Sequence, residues 1–322
     1  MKKRLGAFIV PTGVGASIGG YAGDASCYAR KFAENNQLIV NPNVVNAGCF
    51  SGISKNMLYV EGYSIDEFFK GKCNLLPVTQ KNKIGVIFDK SIPEGILNVH
   101  INTINAVKAI YGCDIIGWDI TDEDVGVDFV VDESNISTGS VKNITTVLES
   151  GKRLLDNGAE AIAIVCRFKD DDFDDYSNGI GVDPVGGVEA IISHYISREL
   201  KVPCAHSPAF DDITISQEIV DSRCSAEYIT PTYLPCILIG LSQAPKLCFN
   251  NTGLSINDLD FLIMPHDCLG SIPVFEALKR NIKVYAIKEN STVLNITKED
   301  ISPEIIECDT YYGLGGVLGG GV

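Results

Sequence analysis

A chain of 322 residues with 45% hydrophobic content is long enough for one large α/β domain or two lobes sharing a cleft. Its formal net charge of −15, with no basic stripe interleaved with aromatics, excludes sequence-independent binding to a phosphate backbone, so nucleic acid is not an expected partner. No apolar run reaches bilayer-spanning length, so a membrane is not expected either.

Short β-like runs alternate with helix-length segments, the pattern of a mostly parallel sheet or sheets with helices on both faces. In chain order, the pattern predicts a strand at Gly6–Val10, a helix at Ala25–Asn35 and a strand at Leu38–Asn41. Asp24 is the expected N-cap of that helix. Between Asn43 and Asn82 the pattern is irregular and no element is assigned. Strand Ile84–Asp89, helix Ile96–Tyr111 and strand Asp114–Ile120 follow, and Val125–Val131 predicts a further strand of either orientation. Helix Val141–Asn157 carries Val141, Ile144, Val147 and Leu148 near helical spacing, with Gly158 as its stop and as a candidate boundary between lobes 1–158 and 159–312. Beyond it come strand Ala161–Arg167, the acidic run Asp170–Asp175 read as a solvated loop, helix Val185–Leu200 and strand Val202–Ala205. Helix Ser225–Gln243, strand Phe261–Met264, helix Ile272–Arg280 and strand Lys283–Ile287 complete the series. The Gly-rich tail Gly313–Val322 offers little to pack, so disorder is its default reading.

The eleven cysteines run from Cys27 to Cys308 without a CxxC pair, which reads as reduced thiols in a reducing compartment. Lys2, Lys3 and Arg4 precede an apolar stretch, and Ala25-Ser26-Cys27 resembles a lipoprotein cleavage site. Pro11, Gly13 and Gly15 interrupt the apolar stretch, however, and Asp24 stands where such a site wants Leu. The expected location is therefore cytoplasmic.

Ligands of open α/β sheets collect at the carboxyl ends of strands, which directs attention to five connections. The first, Pro11–Asp24, contains Thr12, Gly13, Gly15, Ser17, Gly19 and Gly20 and suits backbone capture of an anion. A tight structural connection is the plain alternative, and neither the dinucleotide fingerprint nor the P-loop pattern is present. The second, Ser177–Glu189, enters a helix through Asp183, Gly186 and Gly187. Its Glu189 is either a candidate base or a dipole-compensating residue. Glu189 and His194, five apart, would not stack on one helix face. Cys204 with His206, and His266 with Cys268 near Ser271, place two thiol–imidazole pairs just past predicted strands, suited to nucleophilic or two-sided acid–base chemistry. The plain reading of such thiols is as small buried hydrophobes. Cys204, Cys236 and Cys268 together would offer three ligands to an iron–sulfur cluster, or Cys and His to a divalent metal, although no local spacing demands either. The fifth connection holds Glu289 and Asn290, and Asn43 adds a polar group after the second strand.

Several of these stretches match one family. Pro11–Asp24 (PTGVGASIGGYAGD), Asn41–Asn46 (NPNVVN), Tyr59–Tyr63 (YVEGY), Gly181–His194 (GVDPVGGVEAIISH), Pro203–Pro208 (PCAHSP), Ala226–Pro245 with its LPC, and Ala286–Asn290 (AIKEN) resemble the DUF3326 family. The match covers most of the chain in order. Where the family pattern reads Ala-Cys-Gly-Gly, this chain has Asp267-Cys268-Leu269-Gly270. The resemblance implies a shared site in these segments and no particular reaction.

Together these features lead to an enzyme acting on a small carboxylate- or phosphate-bearing metabolite. Cys204, Cys268, His206, His266 and Glu189 would supply acid–base chemistry of racemase, epimerase or lyase type, with no cofactor required. A metal or iron–sulfur hydro-lyase built on Cys204, Cys236 and Cys268, and a non-catalytic metabolite-binding protein, are the alternatives. Composition leaves a homo-oligomer open.

Overall fold

The structure, a computed structural model, describes residues 3–169 and 176–318. Two parallel sheets organise it. The first has six strands, in the order Ile306–Cys308, Lys283–Ile287, Leu259–Pro265, Arg4–Phe8, Asn36–Val40 and Met57–Tyr59. The second has four, in the order Cys204–Ala209, Ala161–Arg167, Lys83–Phe88 and Asp114–Ile120. Every pairing within both is parallel, and helices flank them. The central strands are apolar almost throughout, as strands covered on both faces must be: Ala161–Cys166 is buried without a break.

Arg4–Phe8 lies in the middle of the first sheet, between Asn36–Val40 and Leu259–Pro265. Its Leu5 amide also donates to the Asp260 carboxylate, 255 positions along the chain, at 2.8 Å. The boundary expected near Gly158 falls inside the second sheet, since Lys83–Phe88 and Ala161–Arg167 are hydrogen-bonded neighbours on either side of it. The chain instead builds the first sheet from its two ends and the second from its middle. One apolar cluster joins the two, running from Phe8 and Val40 through Leu238 and Leu241 to Phe88 and Val165.

The long elements agree with their sequence periodicity, and the differences have local causes. Helix Ser225–Gln243 is in fact two helices, Ser225–Tyr228 and Leu234–Ser242. Pro231 between them pushes the preceding backbone away from helix, and Pro235 is accepted because it falls in the first turn of the second. Val127–Val131 forms an antiparallel hairpin with Ser137–Val141. Asp24 does not cap its helix; its carboxylate turns back to accept from the Gly19 and Tyr21 amides. The Gly-rich tail starts as a helix, Tyr311–Leu318, because Tyr311, Leu314 and Leu318 recur on one face and enter the main core. Asp170–Asp175 lies outside the described residues.

Candidate functional site

A cavity of about 1220 Å³ opens where the carboxyl ends of Arg4–Phe8, Asn36–Val40 and Met57–Tyr59 face helix Gly186–Leu200 and the edge strand Cys204–Ala209. Asn41 holds the first two strand ends together, accepting from the Val10 amide and donating to the Val10 carbonyl at 3.1 and 2.7 Å. Among the described residues, seven carboxyl side chains reach the lining (Glu61, Asp66, Asp183, Glu189, Asp212, Glu218 and Glu227), with two imidazoles and no Lys or Arg.

Two carboxyl–imidazole pairs stand in its lining. Helix Gly186–Leu200 presents Glu189 in its first turn and Ser193 one turn later, both toward the edge strand carrying His206. His206 Nε2 is 3.6 Å from Glu189 Oε2, and its Nδ1 is 2.9 Å from Ser193 Oγ. Glu189 is only 7% exposed, and its Oε1 has no hydrogen-bond partner. Burial, then the charges of Asp183 and Glu227, raises its carboxyl well above the ordinary range. Burial, then the neighbouring His194, lowers His206 to about 3. Both effects favour an uncharged pair, a protonated Glu189 beside a neutral imidazole.

The second pair is Glu61 and His194, with Oε2 and Nε2 3.7 Å apart. Glu61 is the N-cap of helix Gly62–Phe69, accepting from the Tyr63 and Ser64 amides, each at 2.7 Å, and from the Ser64 hydroxyl. Burial outweighs those donors and lifts it to about 7. Gly62 makes the pair sterically accessible, since a Cβ there would stand 2.5 Å from His194 Nε2. Glu189 and His194 do not stack, in keeping with their spacing, yet both reach the cavity by pairing with different partners.

Of the residues the sequence singled out, Thr12, Gly20, Asn43, Asp183, Gly186, Glu189, His206, Cys236 and Ser271 line the cavity. Gly13, Gly15, Ser17, Gly19, Gly187, Cys204, His266, Cys268, Glu289 and Asn290 do not. Part of the expected anion cradle is filled by the protein's own acceptors. Ser17 and Ile18 donate to the Ser291 carbonyl and Asn290 Oδ1, and Gly19 donates to Asp24. Val185 and Gly186 donate to Asp183, and Gly187 donates to Ser137 Oγ. Gly187 is there for close packing: a Cβ would meet the Ser137 carbonyl at 2.0 Å. Asn43 spends its amide on the Val10 and Pro11 carbonyls, and Asn290 ties the first loop to Tyr311. Glu289 accepts from the Tyr311 amide.

The thiols do not converge. Cys204, Cys236 and Cys268 belong to three different apolar clusters. Burial raises all three thiols, Cys236 to about 12 and the other two far from thiolate character. Cys268 turns to the Pro265 carbonyl rather than to His266, whose Nδ1 faces the Asn290 carbonyl. This corrects the expectation of a two-thiol site and separates the three ligands of the cluster alternative. Among the described residues, no three His, Cys, Asp or Glu side chains are placed to hold a metal ion. The departure Asp267-Cys268-Leu269-Gly270 is structural: Asp267 accepts from the Thr292 amide and hydroxyl, and Leu269 is buried.

Fold and cavity together define a two-sheet α/β protein with an acidic cleft between its sheets. Residues 6–320 match the family described as "Protein of unknown function (DUF3326)", and the chain belongs to that family. It is similar to an uncharacterized lipoprotein of Synechococcus, 36% identical over 314 residues, covering 94% of this chain and 86% of that protein. No solved structure matches it. Among the described residues, no helix is long and apolar enough to cross a membrane.

Proposed function

We propose that the chain is an enzyme of isomerase or lyase type that moves a proton on a small polar metabolite, with Glu189–His206 and Glu61–His194 as its acid–base groups. One observation carries this reading: two carboxyl–imidazole pairs, with ionisations pushed in opposite directions, share one cavity. Glu61, held near neutrality, suits a group that takes a proton and returns it. A protonated Glu189 suits delivery of a proton to the substrate, with Ser193 orienting His206 behind it. In the step itself a substrate C–H bond breaks, its electron pair stays on the substrate and its proton passes to Glu61. Glu189 protonates the opposite face in an isomerisation, or the leaving group in an elimination.

The test is solvent exchange. Wild-type protein incubated with a metabolite extract in heavy water should add one deuterium to a specific metabolite, or convert it, as read by mass spectrometry. Glu189→Gln should slow this about 10²–10⁴-fold, the usual worth of a positioned acid or base. A metabolite that binds yet neither exchanges nor disappears would establish a binding protein instead.

The relative's printed name raises the question of compartment. A reducing, cytoplasmic location is supported here by eleven free cysteines, seven of them buried. Cleavage before Cys27 would also remove the middle strand of the first sheet. Cell fractionation checks this: the full chain belongs in the cytosolic fraction, and recovery with membranes overturns it.

A further inference from the structure

The charge of the cavity goes beyond the acid–base pairs. Asp183, Glu189 and Glu227 all line it: burial raises all three carboxyl groups, the charge of Asp183 adds to the effect on Glu189 and Glu227, and that of Glu227 adds to the effect on Glu189. Glu189 Oε1 is sealed there without a partner. The walls alongside are aromatic. Tyr176, in contact with Glu227, stacks on Tyr21 at 5.0 Å between ring centroids, and Tyr233 meets Phe210 edge-on at 6.2 Å. All four rings line the cavity. The described lining contains no Lys or Arg to offset the carboxyl groups, and the Gly19, Gly186 and Gly187 amides are consumed internally.

Glu189 and Glu227 hold their protons in this wall, so it offers an anion no counter-charge, whereas an arriving cation favours their ionised forms. The wall suits a cation whose charge is spread over an organic group, because carboxylates and ring faces both attract it. A bare metal ion is the poorer match, since no set of three ligands converges among the described residues.

We propose that the metabolite carries a protonated amine, seated at Asp183 and Glu227 and against Tyr176 and Tyr233. This rests on the acid–base reading of the same cavity and replaces the anionic substrate expected from the glycine loops.

Thermal unfolding at constant ionic strength tests it, with 1,4-diaminobutane and ethanolamine as cationic probes, succinate and inorganic phosphate as anionic ones, and magnesium and zinc chloride as metal controls. Either amine at 20 mM should raise the Tm of wild-type protein by about 2–4 °C. The shift should disappear in Glu227→Gln and in Asp183→Asn, and circular dichroism of the two variants should match wild type. Stabilisation by succinate, phosphate or the metals in preference to the amines overturns the proposal. So does the absence of any amine shift, or a shift retained in both variants. The two proposals fail separately. Amine binding without solvent exchange leaves this one standing and removes the enzyme, whereas turnover of an anionic metabolite does the reverse.

Discussion

Glu227 holds its proton to about pH 8, against 4.5 for an ordinary glutamate, because burial and the nearby Asp183 penalise the charged form. Between those values the folded chain keeps a proton that the unfolded chain has released. Stability that is complete below pH 4.5 therefore drains away as the pH rises toward 8. Glutamine copies the protonated form, so Glu227→Gln should gain on wild type steadily from pH 5 to pH 8, reaching roughly 2–4 °C in Tm. A difference in Tm that stays flat across that range would contradict the shift. His206 acts in the opposite sense, costing stability as the pH falls from 6.5 toward 3, and it is common to both proteins. At this scale the sequence was half legible. Glu189 and His206 stood beside helix and strand ends that periodicity locates well. Glu61 was hidden because it caps a helix in a stretch without clear periodicity, although the YVEGY segment contains it. The cysteines misled: Cys204 turns to the Val202 carbonyl and Cys268 to the Pro265 carbonyl, and neither thiol lines the cavity.

Elements longer than a turn were legible wherever they repeat at one period. Asp114–Ile120, Ala161–Arg167 and Lys283–Ile287 have the bounds that the apolar pattern suggests. Those that escaped are short and depend on distant partners: Met57–Tyr59 is three residues long and exists because Asn36–Val40 offers it an edge. The closing helix Tyr311–Leu318 is the instructive case. Its glycines weaken it as a helix, yet Leu314 is completely buried, and Tyr311 packs against Phe8 and Tyr28. Leu314→Ala should accordingly cost about 2–5 kcal/mol in a urea titration, whereas a floppy tail would lose nothing measurable.

Over the whole molecule the sheet class was readable and the topology was not. Alternation of strand and helix announces parallel pairing, but no local pattern says that the second sheet is inserted between the halves of the first. The same insertion explains why the cavity draws on residues as distant as Thr12, Glu61, Glu189 and Glu227. It also sets a timetable. The middle strand of the first sheet leaves the ribosome before either strand that flanks it, and its neighbour on one side is made soon afterward. Its other neighbour contains Asp260, which trails Leu5 by 255 positions. At 5–20 residues per second that is a wait of roughly 13 to 50 s. For all of that time an apolar edge stands unpaired, so the nascent chain must be shielded from its own copies until the last third arrives.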